Sequence, residues 1–224
     1  CHGTHEILPS NDPGSPIART HIHETCGKCH EKEMAEFNRS IHGRALEAGI
    51  KDAPTCIDCH GEHDIGPPKA SESAMAAQTI SRLTCPKCHE DETVMTKYGI
   101  TMHRQASYMD SYHGMYSVAG GKVVASCASC HGAHEILPRD DPASSINPAN
   151  VVKTCAQCHE NATANFAASP VHVIPTDPGQ RVLGFVRVAY IWLIVVVLGG
   201  MALHNMLLMA RHMVGKLREE LHGA

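Results

Sequence analysis

Aromatic side chains are scarce in this chain of 224 residues: five Tyr, three Phe and one Trp. So few large rings cannot fill the interior of a domain of this length, which excludes a conventional core of packed rings. Something other than side chains has to occupy that space. A run of Lys or Arg is missing too, and 19 basic residues against 23 acidic ones leave a net charge of −4. That balance excludes nucleic acid as a partner, because neutralising phosphates takes a concentrated positive surface. Long alternation of apolar and polar residues is also absent; Lys122 to Ala125, beside Gly120-Gly121, is at best one short strand.

What the chain has in excess is Cys, with 11, and His, with 18. Ten of the cysteines fall into five Cys-x-x-Cys-His groups: Cys26, Cys29 and His30; Cys56, Cys59 and His60; Cys85, Cys88 and His89; Cys127, Cys130 and His131; and Cys155, Cys158 and His159. The eleventh opens the chain as Cys1-His2 and reads as the remnant of a sixth copy, so the sequence starts inside a motif.

Structural zinc and redox-active dithiols also use Cys-x-x-Cys, but neither asks for His at the next position. Attachment of c-type haem (heme c) asks for all three residues: two thiols add across two vinyl groups, and the adjacent imidazole becomes an axial ligand of the iron. Six haems are expected, five of them on complete motifs. Porphyrins would also supply the missing interior, since each is a broad apolar plate around which a short chain can wrap. On these motifs the chain before residue 175 resembles the periplasmic multihaem c-type cytochromes.

Residues 1–31 align without a gap on residues 130–160, with 17 identities, and a more divergent copy starts at Cys59-His60-Gly61. This is an internal repeat of two-haem modules starting near residues 1, 56 and 127. Each module reads Cys-His-Gly-x-His, a Pro/Ser-rich connection, a second motif ending Cys-His-Glu, and an aromatic-x-x-Ser-x-His element. The last appears as Phe37 to His42, as Tyr108 to His113, and with one extra residue as Phe166 to His172.

The six motif histidines His2, His30, His60, His89, His131 and His159 are the proximal ligands. Six more are wanted for bis-His coordination, and the repeat offers His5, His63 and His134 from the first element and His42, His113 and His172 from the third. A His three residues from its proximal neighbour cannot swing around the porphyrin, so His5, His63 and His134 are expected to ligate a neighbouring haem. His103 competes with His113: spacing from His89 favours His103, and the shared sequence context favours His113, which is preferred. His21 and His23 face Asn150 and Val152 in the matching repeat and are read as solvent or propionate contacts. The ten Met follow no repeat register and are read as packing.

The expected fold is mainly α and loop-rich: a multihaem domain with a haem-filled core over residues 1–173, with helices at residues 31–37 and 71–83. Residues 174–187 read as a linker. Val188 to Ala210 then carry no formal charge over 23 residues. At ~1.5 Å per residue that is ~34 Å, the length of a transmembrane helix. Tyr190 and Trp192 sit near one end, as interfacial aromatics do. Residues 211–224 would form a tail.

Attachment of c-type haem outside the cytoplasmic membrane is what the resemblance implies. It places the haem domain in the periplasm, the helix in the bacterial inner membrane and the C-terminus in the cytoplasm. Filled axial positions leave electron transfer as the function, so the chain is read as a non-catalytic electron-transfer subunit of an oxidoreductase complex. In this it resembles membrane-bound multihaem cytochromes of bacterial quinone-linked respiratory complexes, although their better-known members carry the anchor at the N-terminus. The partners implied are integral membrane subunits, a cytochrome b or quinone-binding subunit among them, and periplasmic redox proteins. Within the span, His204 is a candidate for contact with a partner helix, a b-type haem or a quinone. Two alternatives stay open: a reductase of a small oxyanion with one open haem, and an extracellular electron conduit.

Overall fold

A computed structural model describes residues 1–68, 70, 73–121, 123–174 and 178–222. The chain divides into two compact units, Cys1–His172 and Val173–Ala224. No strand occurs among the described residues. Val123 to Ala125 are irregular, and Lys122 lies outside the described residues.

In the first unit, short helices form where the repeated motifs are. In order they are α1 Ile22–Gly27, α2 Glu31–Arg39, α3 Ile41–Glu47, α4 Cys56–His60, α5 Ala77–Thr79, α6 Pro86–His89, α7 Glu92–Lys97, α8 Arg104–Met109, α9 Tyr112–Val118, α10 Cys127–His131, α11 Val151–Ala156 and α12 Ala164–Ala167. A π-helical turn, Ile80–Thr84, continues α5. Helix was expected from residue 71; it begins at Ala77 instead, because Ser73 to Ala76 make turns, and Ser71 and Glu72 lie outside the described residues.

The helices α4 and α10 are two of the Cys-x-x-Cys-His groups themselves. One helical turn brings the side chains at i, i+3 and i+4 to a single face, which gathers both thiols and the imidazole. Each turn is closed at its start by a reciprocal cap. The Asp58 carboxylate accepts from Thr55 N at 2.7 Å and from Thr55 Oγ1 at 2.8 Å, and Ser129 Oγ accepts from Ser126 N at 3.0 Å. Each ends on a glycine in the left-handed region, Gly61 at φ 82° and Gly132 at φ 83°. That backbone conformation is open to Gly alone at little cost.

The Pro/Ser-rich connections are held by small buried polar side chains. Ser15 Oγ donates to Leu8 O at 3.2 Å, Ser73 Oγ to Gly66 O at 3.4 Å and Ser144 Oγ to Leu137 O at 3.2 Å. Thr25, Thr84 and Thr154 then donate to Pro16, Ala74 and Ser145 carbonyls. All three modules thus repeat the same pair of bonds. Apolar burial is thin by comparison: the buried hydrophobic residues of this unit are Ala18, Ile22, Leu46, Ala53, Ala76, Ile80, Met95, Tyr108 and Leu137 among those described.

The second unit is dominated by α13, Arg181–His222. Residues 181–187, expected to belong to a linker, are helical: no Pro interrupts them and their apolar side chains run on into the span. Within the stretch Arg181–Arg218 the most apolar window has a mean hydropathy of 2.4, and none of it is buried. It is long and apolar enough to cross a membrane.

Candidate haem-ligand sites

The third repeated element explains itself locally. Ser40 caps α3: its Oγ accepts from Gly43 N at 3.0 Å and donates to Phe37 O at 2.6 Å. Ser111 caps α9 in the same way, accepting from Gly114 N at 3.3 Å and donating to Tyr108 O at 2.6 Å. A Cβ at Gly43 or Gly114 would overlap the Phe37 or Tyr108 carbonyl, so Gly is required directly after the histidine. The cap and the close turn aim His42 and His113 from the first turn of their helices. In the third copy Pro170 replaces the helix start and His172 lies in a bend.

Five motif histidines stand opposite a non-motif histidine. His2 and His63 have ring centroids 6.1 Å apart and planes 3° from parallel; His60 and His134 are 6.1 Å apart at 13°. His42 and His89 are 6.1 Å apart at 47°, His113 and His159 6.1 Å at 49°, and His131 and His172 6.3 Å at 36°. Rings in stacking contact would be nearer. With a ring nitrogen ~1.1 Å from its centroid and a metal–imidazole bond of ~2.0 Å, two imidazoles on one metal stand ~6.2 Å apart. The separations therefore fit one iron between each pair. Among the described residues no cluster of three or more His, Cys, Asp or Glu forms a cage for a metal. Pairs are what a porphyrin-bound iron asks of a protein, since the macrocycle supplies four nitrogens.

Burial is the main force on six of these imidazoles. It lowers the pKa of His42 to about 4, with His89 adding to the effect. His172 is also lowered to about 4, by burial first and then by the Arg104 and His131 charges. His60, His89, His113 and His131 are lowered for the same leading reason. A depressed pKa keeps the ring neutral, the form that binds a metal.

Of the other expected ligands, His5 and His30 face no histidine among the described residues. His5 Nδ1 lies 3.2 Å from Thr4 Oγ1, and the His30 side chain, 71% exposed, lies 3.9 Å from Glu33. His103 sits at φ 65° ahead of α8, 3.9 Å from Glu90, and is outside the pairs, whereas His113 is in one. His21 pairs with Glu24 at 2.9 Å, and His23 lies against Phe37. His204 is exposed on α13.

Thiols of successive motifs adjoin. Cys26 acts on Cys56, whose pKa is pushed up to about 12, chiefly by burial. Burial first, then the Asp58 charge and after it Cys88, raise Cys59; Cys85 and Cys127 share a hydrogen bond; and burial followed by Cys155 raises Cys130. Thiols of neighbouring motifs are therefore side by side in chain order.

Two thiols stand apart from the rest of the complete motifs. Cys29 and Cys158, each the second thiol of its module's second motif, are exposed, as is Cys1, whereas the other eight cysteines are half-buried. The reason lies in where the helices stop. Helix α1 ends at Gly27 and α11 at Ala156, so Cys29 and Cys158 fall in the turn beyond the helix, while Cys59 and Cys130 are still inside α4 and α10. The turn keeps its thiols near each other along the backbone, since Cys29 N donates to Cys26 O at 3.1 Å and Cys158 N to Cys155 O at 3.2 Å. Protein side chains therefore do not cover Cys29 or Cys158, and only Cys158 is drawn toward another motif, where it adds to the rise at Cys130.

One functional residue, Ser107, has no forerunner in the repeat: it is buried, and its Oγ is 2.7 Å from His172 Nδ1.

The chain is similar to a c-type cytochrome. The relative is "Cytochrome c-type protein NrfB" of Haemophilus influenzae, 24% identical over 162 residues, which cover 60% of this chain and 63% of the relative. The chain thus spans less than two thirds of that protein's length. The likeness supports a multihaem c-type cytochrome and haem c as the cofactor. No family model matches the chain, and no solved structure matches it.

Proposed function

We propose that residues 1–173 form a periplasmic electron-transfer domain carrying six covalent haems, held by α13 in the bacterial inner membrane with the C-terminus in the cytoplasm. The observation that carries the reading is the set of five facing imidazole pairs, each uniting one motif histidine with one non-motif histidine. When bound, haem c supplies an iron that takes up and releases one electron between its ferric and ferrous states.

The chain's own residues do the rest. The motif thiols, eleven with Cys1, hold the macrocycles as thioethers, the exposed Cys29 and Cys158 included. The paired imidazoles would hold each iron from both sides, and burial favours the neutral ring at His42, His60, His89, His113, His131 and His172. Adjoining thiols of successive motifs support a continuous line of sites. Filled axial positions leave no place for a substrate at those five sites, which favours an electron-transfer subunit over a reductase. The C-terminal helix favours partners in the membrane: a quinone-binding or cytochrome b subunit on one side of the exchange and periplasmic redox proteins on the other.

Mass-spectrometric mapping of haem peptides from the protein purified in detergent tests this. Haem is expected on the peptides of all five complete motifs and on that of Cys1. Unmodified thiols at two or more complete motifs would overturn the proposal.

A further inference from the structure

The pairs obey two rules. The first-element histidine of one module faces the first-motif histidine of the preceding module: His63 faces His2, and His134 faces His60. The second-motif histidine of one module faces the third-element histidine of the preceding module: His89 faces His42, and His159 faces His113. Ligands are thus exchanged between modules, never within one, until the last. There His172, from the copy with an extra residue and no following Gly, folds back on His131 of its own module. That end of the array is closed.

Applied to the first module, the two rules leave two histidines over. His5 calls for the first-motif histidine of a preceding module, and His30 for that module's third-element histidine. Neither His5 nor His30 faces a histidine among the described residues, and both are exposed. Two independent rules therefore ask for the same missing body. A second copy of residues 1–224 does not fit, because its third-element histidines His42, His113 and His172 are all spent on its own pairs.

We propose that the face presenting His5 and His30 is a ligand-exchanging junction for a further haem module of this same repeat, whose first-motif iron takes His5 and whose third-element histidine completes the iron at His30. The inference rests on the bis-His reading above. It makes the array directional: closed at the His131–His172 end, continued at the His5–His30 end.

The test uses the natural protein purified from its own membranes in detergent, read by low-temperature magnetic circular dichroism, which separates high-spin from low-spin haem. The unmodified protein is expected to show no high-spin haem and to bind no cyanide. His63→Ala should create one high-spin haem per chain, which tests the bis-His reading alone. His5→Ala should create one as well, and His5→Met should restore a low-spin His/Met signal at that iron, which a merely structural role for exposed His5 would not produce. No change in His5→Ala, with the expected change in His63→Ala, overturns the junction and leaves the bis-His reading standing. No change in His63→Ala overturns that reading itself. A cyanide-binding high-spin haem at His30 in the unmodified protein overturns the junction in favour of an open site. High-spin haem that appears only on dilution to a monomer overturns it in favour of a second copy.

Discussion

Ser107 Oγ lies 2.7 Å from His172 Nδ1, although the two are 65 positions apart in the chain. The same hydroxyl donates its proton to Arg104 O at 2.8 Å, so toward His172 it accepts. The proton of the imidazole is thereby held on Nδ1, and Nε2 keeps its lone pair for a metal opposite His131. Ser107→Ala is expected to weaken the hold of His172 about 10- to 100-fold, the usual cost of losing such a partner. Cyanide should then enter at that iron alone, while Ser107→Thr should keep it closed; cyanide titration of the ferric spectrum checks both.

Arg104 brings a positive charge to the same pair; after burial, it helps to lower the pKa of both His131 and His172. A cation beside an iron favours the ferrous state. If the partly screened charge contributes ~1 kcal/mol, Arg104→Gln should lower the potential of that haem by about 40 mV. Spectroelectrochemical titration of the variant measures the shift, which should fall on one haem of the set.

Gly43→Ala places a methyl group on the Phe37 carbonyl and should move the first turn of α3. The expected result is a high-spin haem at Cys85 and Cys88, whose motif histidine His89 faces His42. Ser40→Ala removes the cap of the same helix and should cost about 1 kcal/mol of stability without ejecting the ligand. Thermal unfolding and the resting visible spectrum, taken together, separate the two outcomes.

Lys97 Nζ and Tyr98 Oη reach Asp52 Oδ2 at 2.6 and 2.7 Å, tying the end of α7 to the loop after α3. The hydrogen bond from Lys97, and then that from Tyr98, hold Asp52 below its ordinary value of 3.8. A lowered carboxylate contributes fully above the ordinary value and loses its contribution as pH falls through the lower one. The melting temperature should therefore decline more steeply below that pH in the natural protein than in Asp52→Asn. High salt should narrow the difference, because the pair is exposed.

The five Cys-x-x-Cys-His groups are legible as a pattern, because their spacing is fixed along the chain. Their exposure was not: Cys29 and Cys158 share the spacing of Cys59 and Cys130, yet they follow the end of a helix instead of lying within one, and spacing alone carries no sign of that. The non-motif histidines were legible through the repeat: His42, His63, His113, His134 and His172 each face a motif histidine. Their pairing was hidden, because it crosses between modules, and distance along the chain carries no trace of that. His42 is nearer in sequence to His30 yet faces His89. For the same reason spacing pointed to His103, while the Ser-x-His-Gly turn, a local physical device, pointed to His113. Ser107 gave no signal, since residues 93–107 have no counterpart in the other modules. The helix expected from residue 71 starts at Ala77, where the buried Ser73 hydroxyl holds turn geometry against a helix-favouring composition.

The central claim is that each facing pair shares one iron, and electron paramagnetic resonance of the ferric protein tests it most directly. Ligand planes set the spectrum: nearly parallel imidazoles split the iron d orbitals and give a rhombic low-spin signal, whereas strongly tilted ones leave them close in energy and give a large highest g value. The pairs at 3° and 13° should give two rhombic signals, and those at 36°, 47° and 49° should give three of the large-g kind. Those two classes, in that ratio among the five sites and with no axial high-spin signal from any of them, are the predicted result. A high-spin ferric signal, or a low-spin His/Met signal, from any of the five would contradict it.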